Sequence, residues 1–221
     1  MFATGNDGSP AWFLVLGAGV LGLALSPLAE VFIAKGLPRL GSLPTLPVRI
    51  TTAALTSFAC AAFTLRFGIS LALPAFIFLA ALGVQLARID VALHLLPNPL
   101  VIMLLAGGFL LLLVPGLFDK HADDLLRALL GAVILFAGYL ILGLFSPRGI
   151  GMGDVKLAAP VGLYLGYSGW SQLLYGGLLG FVLNGLVTVV ILSQKSRNKA
   201  KETAHGPSML GATLTVTLLL Q

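Results

Sequence analysis

Apolar runs long enough to cross a lipid bilayer recur along this chain and leave little else. A helix needs roughly 20 mostly apolar residues to span about 30 Å of hydrocarbon. Such runs extend roughly over residues 12–34, 48–65, 69–87, 100–118, 125–145, 151–167, 172–192 and 207–220. The sixth and eighth are short, as suits segments that are half-buried or tilted in a locally thin bilayer. In lipid only helices and closed barrels satisfy the backbone, and these runs are too long and continuous for barrel strands. The expected fold is all-α, a polytopic integral membrane protein with about eight transmembrane helices. It reads as a single membrane-embedded domain over residues 1–221, with no separate soluble domain and no internal repeat.

Charge supports this reading and excludes others. Only 10% of residues are charged, against about 25% in an average soluble domain. The net charge of +5 does not point to nucleic acid, because Lys and Arg fall in short gaps between apolar runs, as charges that set topology do. With the N-terminus outside, Lys35, Arg39, Arg49, Arg88, Arg148, Lys156, Lys195, Arg197, Lys199 and Lys201 lie inside. Arg66, Lys120 and Arg127 then lie outside, beside the acidic cluster Asp119, Asp123 and Asp124. The first apolar run has no positive flank before it, so it reads as a retained helix. Cys60 is the only cysteine, which gives neither a disulfide framework nor a CxxC metal site.

Ionisable groups at membrane depth are costly, so each needs a reason. Asp90 and Asp154 come from different halves of the chain, yet the orientation above brings both to cytoplasmic helix ends. A lone Asp there reads most simply as an interfacial cap. A pair can hydrolyse an amide without metal or nucleophile: close like charges share a proton, one carboxylate takes a proton from water, and its partner donates to the carbonyl. Asp154 lies in the first turn of its helix, where the dipole favours an anion, and Asp90 at the C-terminal end of its own, where it does not. Asp154 is therefore the expected base and Asp90 the proton holder. Gly151 and Gly153 read as points where the backbone bends and a substrate approaches, or as ordinary small-residue packing. Lys156 reads as a snorkelling cation before a tuning one. Pro97, Asn98 and Pro99 form a turn back into the membrane. His94, His121 and His205 have no ligand spacing, so no metal is expected.

At these residues the chain resembles the type IV prepilin peptidase family, the bacterial GxGD aspartyl proteases. Ile89-Asp90 followed by Leu96-Pro97-Asn98-Pro99-Leu100 is similar to the family's first block. Gly151-Met152-Gly153-Asp154-Val155-Lys156-Leu157 is similar to its GxGD block, and His205-Gly206-Pro207 with Leu210-Gly211 to its third. The resemblance implies that Asp90 and Asp154 are catalytic, with Gly151, Gly153, Lys156, Pro97, Asn98, Gly206 and Pro207 in support. It implies a prepilin or pseudopilin substrate of type IV pili or type II secretion, its basic leader cut after Gly at the cytoplasmic face of a bacterial membrane. The lipid bilayer is the other expected partner. Some family members carry paired CxxC motifs and also N-methylate the product with S-adenosylmethionine. This sequence has no such motif, so peptidase activity alone, without cofactor, is the expectation. The alternative from another class is a small ion-coupled transporter, against which stand the shared membrane face of the two Asp and the lack of repeat symmetry.

Overall fold

The computed structural model describes residues 12–40, 43–118, 122–145, 150–194 and 205–220. Arg148, the acidic and cationic positions 119 and 120, His121, and the cations at 195, 197, 199 and 201 lie outside the described residues. The described chain forms α1 (Trp12–Gly36), a 3-10 turn (Pro38–Leu40), α2 (Leu46–Phe67), α3 (Leu73–Leu93), α4 (Asn98–Phe118), α5 (Ala122–Phe145), α6 (Met152–Ser168), α7 (Trp170–Gln194) and α8 (Gly206–Leu219). Six of these helices are long and apolar enough to cross a membrane, and α8 is a shorter apolar helix. The protein is all-helical and of multi-pass character, as its apolar runs require.

The helices extend past the runs at several ends. The largest difference is in α3, which continues to Leu93 rather than ending near residue 87. Nothing breaks the helix until Pro97, which disfavours helical backbone at the residue before it. Its end is made by His94, a non-glycine residue at φ 51, the left-handed conformation that commonly closes helices. Asp90 thus sits within the last turn of a helix, and its backbone carbonyl accepts from His94 N–H at 2.8 Å.

The chain divides into two compact units, Met1–Gln85 and Leu86–Gln221, with the boundary inside α3. In the first unit α1 packs on α2 so closely that a Cβ at Gly22 would lie 2.7 Å from Ser57 Cα. Such close approach is the ordinary use of small residues between membrane helices. Glu30, 2% exposed, accepts from Arg49 Nε and Thr52 Oγ1, both at 2.9 Å.

In the second unit α6 contacts α4, α5, α7 and α8. It is buried over most of its length from Asp154 to Tyr167, as expected of a helix apolar all round. Glycines let α5 and α6 meet: a Cβ at Gly166 would stand 2.6 Å from Arg127 O, and one at Gly162 would run into Gly131 O. Arg127 Nε and Nη2 then donate to the Gly166 and Tyr167 carbonyls at 2.7 and 2.8 Å, closing the C-terminal end of α6. This fixed central helix presents its first turn, Gly151 to Asp154, to the site.

Candidate active site

All three sequence blocks converge within the unit Leu86–Gln221. Pro97 begins α4 by offering its carbonyl to Leu100 N–H and Val101 N–H at 3.0 and 3.2 Å. Leu96, just before it, packs against the first turn of α6, where a Cβ at Gly153 would lie 3.2 Å from Leu96 Cβ. Asn98 Oδ1 accepts from Lys156 Nζ at 2.9 Å, so the first and second blocks are tied at two points. The third block meets the first through Gly206, whose N–H donates to Asp90 Oδ2 at 3.0 Å. A Cβ at Gly206 would stand 2.7 Å from that oxygen and 3.5 Å from Leu157 Cδ2, one turn beyond Asp154.

Asp90 is 5% exposed and Asp154 9%. The two carboxylates lie close enough to feel each other's charge. Asp154 occupies the third position of α6, and its Oδ2 accepts from the N-cap Gly151 N–H at 3.3 Å, the reach-back half of a capping box. Asp90 belongs to the end of α3, but its carboxylate meets the first residue of α8. Both carboxylates are therefore held at helix N-termini, where free N–H groups and the dipole favour an anion. Beside the unfavourable C-terminal end of α3, Asp90 thus gains a favourable contact with the start of α8. His94 also lies within electrostatic reach of Asp90.

The supporting residues make specific local contacts. Gly151 has φ −72 and ψ 148, a conformation open to any residue, and Gly153 is helical. Neither conformation requires glycine. Gly153 gives room for Leu96, and a Cβ at Gly151 would sit 3.3 Å from Asp154 Oδ2. Lys156 is exposed and hydrogen-bonds Asn98. That contact joins two helix starts. Asn98 and Lys156 also line an apolar groove of about 310 Å³ between α4, α5 and α6. Pro207 stands in the first turn of α8, where a missing N–H costs nothing.

The fold also brings here two polar residues to which the sequence assigned no role. His205, set aside for want of ligand spacing, precedes Gly206 and is 7% exposed. Its Nε2 lies 3.1 Å from the Tyr139 hydroxyl, and Tyr139 in turn feels the charge of Asp154. Burial pushes the His205 pKa below its ordinary value, so the ring is neutral. A signal did exist: a tyrosine within an apolar run needs a partner for its hydroxyl when buried. Among the described residues, no three His, Cys, Asp or Glu side chains gather as metal ligands.

A family model, the type IV leader peptidase family, matches residues 75–192, more than half of the chain. Known proteins are similar to the same extent. A "Prepilin leader peptidase/N-methyltransferase" of Aeromonas hydrophila is 31% identical over 125 residues, 56% of this chain and 42% of that protein. Proteins of the same description from Stutzerimonas stutzeri and Bacillus subtilis are each 32% identical, over 64% and 59% of this chain and 48% and 50% of their own. The chain thus spans about half the length of the curated relatives it matches. No solved structure matches it. With the match extending over both Asp blocks, the chain belongs to the type IV leader peptidase family.

Proposed function

We propose that this chain cuts the leader from prepilin-like substrates by aspartyl hydrolysis, with Asp90 and Asp154 as the catalytic pair. The observation that carries the reading is their convergence. Two carboxylates 64 positions apart in sequence are both buried within each other's electrostatic reach, and each accepts a backbone N–H at a helix start. Neighbouring acids of this kind share a proton. The ionised member removes a proton from water as that water adds to the scissile carbonyl. The protonated member donates to the carbonyl oxygen, and collapse of the tetrahedral adduct transfers a proton to the leaving amine. Which Asp holds the proton at rest is a property of the pair. The hydrolysis calls for no cofactor.

The substrate follows from the family: a short basic leader, cut after Gly before a hydrophobic helix. Family relatives are named for this activity. The positive-inside pattern of the sequence favours a site at the cytoplasmic face of a bacterial membrane, where a basic leader waits. N-methyltransferase activity appears in the relatives' names, and the proposal for this chain is peptidase activity alone.

Co-expression with a prepilin from the same genome tests the reading, with leader removal seen as a gel shift. Wild type is expected to cleave, and Asp90→Asn and Asp154→Asn are expected to fail. Cleavage surviving in either variant discards the pair. Mass of the product judges the second activity, a free N-terminal amine being expected. Ion flux in proteoliposomes that Asp154→Asn abolishes would favour the transporter instead.

A further inference from the structure

His205 and Tyr139 take no part in the hydrolysis proposed above, yet the fold fixes them against it on both sides. The Tyr139 ring stacks on Phe181 with centroids 4.9 Å apart. The His205 ring lies 5.4 Å from Phe181 and 5.7 Å from Tyr139. Within this apolar cage the polar contact is Tyr139 hydroxyl to His205 Nε2, 3.1 Å. His205 Nδ1 is buried without a hydrogen-bond partner among the described residues. A neutral imidazole so enclosed has one anchor, and a hydrogen bond sheltered from water is hard to replace.

The backbone of the same residue is held as well. His205 O accepts from Ser208 N–H and Met209 N–H at 3.1 and 3.2 Å, starting α8. The peptide between these two fixed points, His205 to Gly206, carries the N–H that donates to Asp90 Oδ2. Tyr139, at the other end, lies within reach of the Asp154 charge.

We propose that Tyr139 and His205 are a positioning pair: their hydrogen bond locks the His205–Gly206 peptide so that the Gly206 N–H stays aimed at Asp90. The proposal rests on the aspartyl reading for its consequence, but its geometry can be judged without it. Both residues would act through Gly206 rather than on the substrate. Packing alone is the competing explanation, because a buried imidazole and a buried phenol fill space whatever else they do.

The experiment uses the full chain in lipid nanodiscs with Tyr139→Phe, His205→Phe, His205→Gln and the double variant Tyr139→Phe/His205→Phe. Amide hydrogen exchange at Gly206 is read first. It is expected to quicken about tenfold in Tyr139→Phe and His205→Phe, because local opening becomes easier. It should stay near wild type in His205→Gln, whose side-chain amide reaches the place of Nε2. On a prepilin substrate, kcat should fall about tenfold in the same two variants with KM nearly unchanged, as for a small misplacement of a reacting group. The double variant leaves neither the Tyr139 hydroxyl nor the imidazole buried and unpaired, so its thermal stability should recover while its kcat stays low. Unchanged exchange at Gly206 in Tyr139→Phe overturns the proposal. So does a kcat that recovers together with stability in the double variant, which would mark the pair as packing. If wild type cleaves no prepilin, the peptidase reading falls, and the exchange arm still decides the pair.

Discussion

In the unit Met1–Gln85 the buried carboxylate of Glu30 accepts from the Arg49 guanidinium and the Thr52 hydroxyl, both at 2.9 Å. In the unit Leu86–Gln221 the carboxylates of Asp90 and Asp154 accept from the Gly206 and Gly151 amides at 3.0 and 3.3 Å. Burying an anion is expensive in both units. The first unit offsets the cost with a counter-charge, the second with amides at helix starts and, in the proposed mechanism, with a neighbouring acid that shares the proton. The difference separates structure from chemistry. An ion-paired carboxylate has its charge neutralised and its oxygens occupied, and removing its partner would strand a charge. A carboxylate held by one amide keeps lone pairs free for water and can gain or lose a proton without losing its anchor.

The comparison breaks most visibly at the pair itself. Asn in place of either Asp keeps an oxygen that accepts the same backbone N–H, so the fold should survive. It cannot carry the shared proton, and cleavage should drop about 10³-fold, the range for losing general acid–base catalysis. Prepilin cleavage in proteoliposomes, alongside thermal unfolding, measures both halves of this expectation. Glu30→Gln is the matched variant in the other unit. Should it silence cleavage to the same degree with its stability intact, the division between resting and reacting carboxylates would be wrong.

Next in size is Gly206→Ala. Its Cβ would stand 2.7 Å from Asp90 Oδ2, so the carboxylate or the start of α8 must move. A shift of that kind at a reacting group should cost about 10- to 100-fold in kcat, or roughly 1.4–2.7 kcal/mol. Gly211→Ala on the same helix is the control, since nothing lies within 4 Å of a Cβ there. Equal losses in the two would mean that α8 tolerates no methyl group anywhere, and Gly206 would lose its special place.

How much of this was legible beforehand depends on the range of the forces involved. The helices were legible because crossing a membrane imposes a length that local sequence must meet, and α4 begins at the Pro97-Asn98-Pro99 turn as its chemistry demands. The candidate residues were legible as costly acids beside unusual glycines and prolines. Which residues pair with which was not. Gly206 reaches Asp90 across 116 positions, and Tyr139 reaches His205 across 66. No periodicity encodes such distances. The acid–base expectation shows the consequence: it weighed Asp90 against the end of α3, where the dipole is unfavourable, and could not weigh the start of α8, which compensates. Lys156 was read alone for the same reason, its bond to Asn98 being a meeting of two helix starts.

A smaller effect belongs to the ion pair. Glu30→Gln leaves the Arg49 guanidinium without its counter-charge, but that side chain is 35% exposed and can turn toward headgroups or water. The full penalty for a stranded buried charge is therefore discounted, to about 1–2 kcal/mol of stability. Leu at both positions should recover much of it, since an apolar pair of similar size often replaces a buried ion pair without loss. Unfolding in a graded denaturing detergent reads the change, with cleavage expected to stay within about threefold of wild type, as for a substitution that acts on stability alone. A stability equal to wild type in Glu30→Gln would mean that the first unit needs no counter-charge either.

The smallest effect tests whether Asp90 leans on a cation after all. His94 closes α3 at φ 51, a conformation that costs an L-residue roughly 1–2 kcal/mol unless its side chain suits it, and its charge reaches Asp90. Gly relieves the strain but loosens the unfolded chain, so His94→Gly should raise stability by at most about 1 kcal/mol. Asn tolerates the same backbone. Both variants lack the imidazole charge, so a role in capping and a role in charge come apart. If His94 only ends the helix, both should cleave prepilin at nearly the wild-type rate, whereas Val, which resists positive φ, should lose stability. If both lose cleavage equally while remaining folded, then Asp90 depends on a neighbouring cation as Glu30 depends on Arg49. The two units would then hold their acids by one device, and what sets the reacting pair apart would be the second acid alone.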